Sequence, residues 1–336
     1  MKDLVNVSAS PHDRSGKTTR SIMRDVVIAL IPASAFGVFQ FGIKALLVLV
    51  TSVVSAVIAE FLWNYFMKKP KTPYECSAVV TGLLLGLNFP ASVPLWIPVV
   101  GSVFAIIVVK QMYGGLGRNF MNPALGARCF LVICFAGRMT NFVVEKGNAV
   151  MNGFAVVDGI SQATPLAIIK DLPATTAVGS SVSLSDMFFG FTGGVIGETS
   201  ALAILIGGLY LVIRKVISLR IPLAYLISCG AFMLIFSGRG FDCEYLAAQL
   251  IGGGLMLGAW FMATDYVTSP ITPWGQIIYG ILLGVLTGLI RTCSSGAEGV
   301  SFTIIFCNLL VPLIERMTMP RAFGLEKKPK KIKKEA

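Results

Sequence analysis

Charge is scarce in this chain: 13% of its 336 residues are charged and 55% are hydrophobic. Soluble domains ordinarily carry about 25% charged residues. Two or three soluble domains, which the length alone would suggest, could not be covered with so few. Histidine is almost missing, with His12 alone, and the seven cysteines include no C-x-x-C pair. No zinc or iron–sulfur site built by this chain alone is expected, and the scattered cysteines do not read as a disulfide framework. Most of Cys76, Cys129, Cys134, Cys229, Cys243, Cys293 and Cys307 fall inside apolar runs and are expected to be small buried hydrophobes. The first twenty residues are polar and lack the apolar core of a cleavable signal peptide. What is left is the composition of a polytopic membrane protein.

Ten apolar runs approach the roughly 20 residues that a spanning helix needs. They lie at Arg24–Phe41, Ala45–Phe66, Cys76–Pro90, Pro94–Met112, Asn122–Ala136, Thr199–Ile213, Ile221–Phe236, Tyr245–Ala263, Gln276–Ile290 and Val300–Ile314. The third and fifth are short, as a re-entrant or weakly tilted segment would be. Ten spans put both termini on one side, and that side collects 21 lysines and arginines against six on the other. Lys110 is counted in the first set and Arg291 in the second. The asymmetry predicts cytoplasmic termini and an outer-face segment at 137–197. The net charge of +11 comes largely from residues flanking apolar runs and from six lysines in Lys327–Lys334. That placement suits anionic inner-leaflet lipid, not nucleic acid.

"GLLLG" at Gly82–Gly86 recurs as "GLMLG" at Gly254–Gly258, which suggests two five-span halves of opposite orientation; close helix packing explains such strings equally well. Gly280, Gly284 and Gly288 read as a packing face. "SGKTT" at Ser15–Thr19 resembles the end of a phosphate loop, but Pro11 stands where its first glycine belongs. Among ionisable residues near spans, Glu60 and Glu315 are expected to reach water from span ends. Arg128, inside the fifth span, and Asp265 are candidates for a functional charge.

One segment, "DGISQATPL" at Asp158–Leu166, is too polar for its surroundings. Thr164 followed by Pro165 is an N-cap ahead of the first helical position. The functional reading is that the Thr164 hydroxyl is an attachment point, left unobstructed for a modifying enzyme by the small residues Gly159, Ser161 and Ala163. The readings are compatible, because a phosphate on an N-cap oxygen meets free N–H groups.

Asp158-Gly159-x-Ser161-x-Ala163-Thr164 resembles the motif at which a flavin transferase joins flavin mononucleotide, FMN, through its phosphate to threonine. The rest of the chain is similar to the family of D subunits (RnfD) of the Rnf complexes, the ion-translocating ferredoxin:NAD oxidoreductases. It is similar, more distantly, to the B subunits (NqrB) of the sodium-pumping NADH:quinone oxidoreductases. The likeness runs through "SPHDRSGKTTRSIMRDVVIALIPA" (Ser10–Ala33), "YGGLGRNFMNPALGAR" (Tyr113–Arg128), "GETSALAILIGG" (Gly197–Gly208) and "MATDYVTSP" (Met262–Pro270). The resemblance implies an all-α polytopic fold with ten transmembrane helices in two inverted five-helix repeats, at 24–136 and 198–316. Around them lie an N-terminal segment (1–23), an outer loop carrying covalent FMN at Thr164 (137–197) and a basic tail (317–336). It further implies a second, non-covalent flavin, riboflavin, and partners in the other Rnf subunits, RnfA, RnfB, RnfC, RnfE and RnfG, of which RnfG carries its own covalent flavin. Electrons from ferredoxin would pass through the Thr164 flavin towards NAD, coupled to Na+ or H+ movement, in an enzyme active only as the complex in the cell membrane. No catalytic or metal-ligating residue is assigned to this chain. Where the quinone-reducing relative has an acidic residue after a lysine, this chain has Gln111, so an ion role carries over poorly there; Asp265 and Arg128 remain the ion-coupling candidates. Two other classes fit the composition: a cofactor-free secondary transporter or channel of the same inverted-repeat architecture, and a structural membrane anchor.

Overall fold

The computed structural model describes residues 17–68, 76–144, 160–161, 164–171, 178, 182–238, 241–294 and 299–320. Asp158, Gly159 and Ala163 lie outside them, as do the first sixteen residues and the basic tail. Thirteen α-helices dominate the described residues, with one antiparallel pair of two-residue strands, β1 (Val143–Val144) and β2 (Ile160–Ser161), in the register Val143↔Ser161.

The longest helix, α1 (Thr19–Phe66), is two arms joined at Gly42, whose φ of 71° no side chain adopts cheaply. Each arm is about 35 Å long. Shorter helices follow: α2 (Ser77–Leu87), α3 (Trp96–Val103), α4 (Pro123–Cys134) and α5 (Ala136–Met139). The helix of α3 runs on as a π-helical stretch, Phe104–Gln111. In the 137–197 region lie α6 (Pro165–Asp171) and α7 (Leu184–Phe189). Then come α8 (Ala201–Ile213), α9 (Arg220–Phe236), α10 (Cys243–Ile251), α11 (Leu255–Leu257), α12 (Pro273–Cys293) and α13 (Val300–Thr318). The helix of α11 also continues as a π-helical stretch, Gly258–Met262. Helices α1, α12 and α13 are each long and apolar enough to cross a membrane, and α10 with α11 and its extension forms a fourth, bent by 62° at Gly252–Gly254.

Packing depends on small residues. On α12, Gly280, Gly284 and Gly288 face Ala224, Ser228 and Phe232 of α9, and a β-carbon on Gly280 would come within 2.6 Å of that of Ala224. The stripe is a packing face. Ser228 Oγ donates across this contact to the Gly280 carbonyl at 3.2 Å, and Ser52 Oγ does the same from α1 to Gly82 of α2 at 2.7 Å. The two echoed glycine strings sit in unlike surroundings. Gly82 and Gly86 lie against Ser52, Val53 and Leu49 of α1, whereas Gly254 lies by Glu198 and Gly258 by Val300 of α13. Outward-facing side chains are large and apolar, among them Ile31, Val54, Ile58, Ile227, Ile235 and Leu313. A band of that extent is what lipid contact requires.

The cysteines depart from expectation. Cys129, Cys229 and Cys307 are buried, but Cys134, Cys243 and Cys293 are exposed. Each exposed one sits at or next to a helix end, where a helix has the fewest neighbours.

Candidate functional site

Two buried clusters combine an ion pair with further polar groups. The first is the break in the bent helix. Helix α10 ends when its chain reaches Gly252-Gly253-Gly254, where Gly253 has a φ of +67°. A helix end exposes carbonyls without intrahelical partners. Arg291, near the end of α12, supplies donors to them: Nη1 bonds the Gln249 carbonyl at 2.5 Å and its side-chain Oε1 at 3.2 Å, and Nη2 bonds the Gly252 carbonyl at 3.1 Å. On the far side of the break, Arg128 of α4 pairs with Glu198 at 3.5 Å and donates to Asn88 Oδ1 at 2.7 Å. All three charged groups are buried. Arg128 is thus held by an anion and an amide from the chain segments ahead of α8 and after α2.

The helix begun by Thr164 stands at the same break. Thr164 is buried, and its Oγ1 accepts from the Ala167 N–H at 3.4 Å, which makes it the N-cap of α6 with Pro165 at the first helical position. The helix docks through one face: Leu166 lies over Gly252 and Gly253, and Lys170 Nζ donates to the Ser294 carbonyl that ends α12. Leu166 and Lys170 are four apart, so both point the same way. Ser161 of the motif contributes backbone to β2.

The second place surrounds Lys110, at the end of the π-helical stretch after α3. Here the sequence reading is corrected. Glu60 does not reach water; it is 3% exposed and pairs with Lys110 Nζ at 2.8 Å. Lys110, 1% exposed, is not a loop charge and also donates to Ser77 Oγ at 2.7 Å, while Gln111 Nε2 donates to Glu60 at 3.0 Å. Arg291, counted as a loop charge, is likewise interior. A charge near the end of an apolar run was assigned to water because its partner is far off in sequence; for Glu60 and Lys110 the separation is 50 residues. The one local signal was the unbroken apolar run Phe104–Val109 leading into Lys110, which leaves no polar approach to that lysine.

Beside Lys110 opens a cavity of about 80 Å³ within a cleft of about 760 Å³. Lys110, Ser77, Thr81, Asn119, Asn122 and Asp265 give it its polar lining. Asn119 is buried and its Oδ1 has no hydrogen-bond partner among the described residues. Asp265, in the turn after the bent helix, accepts from Thr268 Oγ1 at 3.3 Å. The structure therefore brings Asp265 together with Lys110 and leaves Arg128 at the other place. Burial pushes the Asp265 carboxyl above the usual carboxylate range, opposed by hydrogen bonds from Val267 and Thr268 and by the Lys110 charge. A carboxyl raised in this way binds its proton more tightly folded than unfolded. The stability it contributes is fully present below the ordinary carboxylate pKa and is lost as pH rises through the raised value. Asp265→Asn should flatten that part of a Tm-versus-pH curve; an unchanged curve would remove Asp265 as the titrating group.

A bundle of apolar helices with a broken helix, buried ion pairs and a docked threonine-bearing loop helix defines a membrane protein of the multi-span class with a polar interior. Comparison with known sequences is specific. The family model described as the NQR2, RnfD, RnfE family matches residues 6–324, and the chain belongs to that family. It is 46% identical over 334 residues to the D subunit of the Na(+)-translocating ferredoxin:NAD(+) oxidoreductase complex of Acetobacterium woodii, covering 99% of this chain and 98% of the relative. It is 38% identical over 328 residues to the D subunit of the proton-translocating ferredoxin:NAD(+) oxidoreductase complex of Clostridium ljungdahlii, covering 96% and 97%. To the D subunit of an ion-translocating oxidoreductase complex of Actinobacillus succinogenes it is 34% identical over 348 residues, covering 96% and 98%.

Proposed function

We propose that this chain is the flavin-bearing D subunit of a membrane complex that passes electrons between ferredoxin and NAD and couples them to movement of Na+ or H+. The observation that carries the reading is Thr164: it closes the full Asp158–Thr164 motif and caps a helix docked on the broken span, in a chain of this family. Its partners in this reading are RnfA, RnfB, RnfC, RnfE and RnfG, with a flavin transferase acting during maturation. The ten helical segments that fall at the marked apolar runs would form two inverted five-helix halves, with both termini cytoplasmic and the Thr164 loop outside.

The residues present fit a phosphoryl group on Thr164. The hydroxyl starts the helix whose Leu166 lies over Gly253, the glycine that Arg291 also borders, and Arg291 is buried with its Nε unpartnered among the described residues. When bound, FMN supplies one-electron chemistry, and the protein supplies orientation, burial and electrostatics. Thr164 fixes the point of attachment, and α6, tied down by Leu166 and Lys170, limits its movement. Asp265, sharing a cavity with Lys110, is the group in this reading that takes up or releases the coupled cation.

This reading also includes a second, non-covalent flavin, riboflavin. The reading as a whole is tested by the intact mass of the denatured chain from hosts with and without the flavin transferase. A gain of FMN minus one water, transferase-dependent and mapping to the Thr164 peptide, is the expected result. No gain would return Thr164 to a helix cap and the protein to a cofactor-free transporter.

A further inference from the structure

Among the described residues, Arg291 is a cation without an anion. It is 5% exposed, and among the described residues no carboxylate lies within ion-pair distance of it. Carbonyl and amide oxygens take its Nη1 and Nη2 but supply no full negative charge, and among the described residues its Nε has no partner. The other buried cations, Lys110 and Arg128, each have a glutamate. An uncompensated charge in a membrane protein's interior is strongly unfavourable, so such a residue ordinarily faces an anion that belongs to the working molecule.

The helix that carries Thr164 lies on the same glycine as Arg291. A β-carbon on Gly253 would sit 3.2 Å from Leu166 Cδ2 and 3.3 Å from Arg291 Nη2, so both side chains border the same bare backbone. Leu166 is two residues after Thr164. The helix carrying Thr164 is also fastened by Lys170 to the carbonyl of Ser294, three residues beyond Arg291.

Resting on the reading of Thr164 given above, we propose that Arg291 is the counter-charge of the phosphodiester on Thr164: a positioning residue that holds the phosphate, and through it the cofactor, against the break in the bent helix. The arginine's three bonds to Gln249 and Gly252 at the end of α10 aim it, and the unpartnered Nε edge is what remains for a phosphate oxygen.

The test is a cycle on the full-length chain: native sequence and Arg291→Gln, each produced with and without the flavin transferase, with intact mass and Tm measured on all four. Modification should raise the Tm of the native sequence by several degrees and give little or no rise in R291Q. R291K, which keeps the charge, should recover part of the rise. In the unmodified native chain, inorganic phosphate should raise the Tm above that in chloride at equal ionic strength, and it should do nothing for the modified chain. Equal stabilisation of native and R291Q chains by modification would overturn the proposal and leave Arg291 as the cap of α10. If R291Q fails to accumulate or to be modified, the phosphate comparison decides, and a chain indifferent to phosphate overturns the proposal. Absence of any mass gain on the native chain defeats the reading of Thr164 itself, and is seen before any Tm is compared.

Discussion

Thr164→Val is expected to give a chain that folds and inserts but carries no covalent flavin, and a complex in which ferredoxin-dependent NAD reduction falls to background. Valine keeps the shape of threonine and removes only the oxygen to which a phosphate can be esterified. The structural loss is small: the 3.4 Å bond from the Ala167 N–H disappears, and removal of such a cap costs about 1 kcal/mol. The docking contacts of Leu166 and Lys170 are untouched. A large functional loss with a small stability loss is therefore the signature sought. Thr164→Ser restores the hydroxyl and should recover part of both mass gain and activity. A mass gain persisting in T164V, or activity equal to the native complex, would mean that the flavin is held elsewhere.

Breaking the Lys110–Glu60 pair should produce the largest loss of stability. Both groups are buried, 2.8 Å apart, and satisfied further by Ser77 and Gln111. Lys110→Met strands the Glu60 carboxylate inside the protein, and stranding one member of a buried pair costs about 3–5 kcal/mol. Adding Glu60→Gln to that variant removes the orphan charge and should return most of the loss, because a neutral amide still accepts a bond from Gln111. Heating curves of the two single variants and the double variant decide the point. A double variant no more stable than K110M alone would show that the lysine's packing, not its charge, is what matters. The pair also anchors the end of the π-helical stretch, where Lys110 lines the cavity it shares with Asp265.

Local features were legible in the sequence. Gly42 separates two apolar runs and breaks α1 where a side chain could not. Thr164-Pro165 announces a helix start, and one is there. The four-residue spacing of Gly280, Gly284 and Gly288 announces a contact, and α9 supplies it. Pairing over distance was not legible. Glu60, Lys110 and Arg291 each sit near the end of an apolar run, where hydropathy reads a side chain reaching for water. Their actual neighbours come from other helices and become visible only once the chain is folded. Neither π-helical stretch could be read from Phe104–Gln111 or Gly258–Met262, since the residue types favour an ordinary helix equally well.

Helix α12 is also a ruler. Its 21 residues measure about 32 Å along the axis, close to the roughly 30 Å hydrocarbon thickness of a bilayer. Asp265 lies in the turn leading to its first residue, and the Thr164 helix is fastened to the carbonyl at its last turn. A charge that moves from one of these ends to the other crosses nearly the whole electric field of the membrane. Each elementary charge then exchanges about 2.3 kcal/mol with every 100 mV of potential. In the reading proposed above, membrane voltage would then act as a reactant, and a preparation with a collapsed potential would sample that chemistry at one end of its working range.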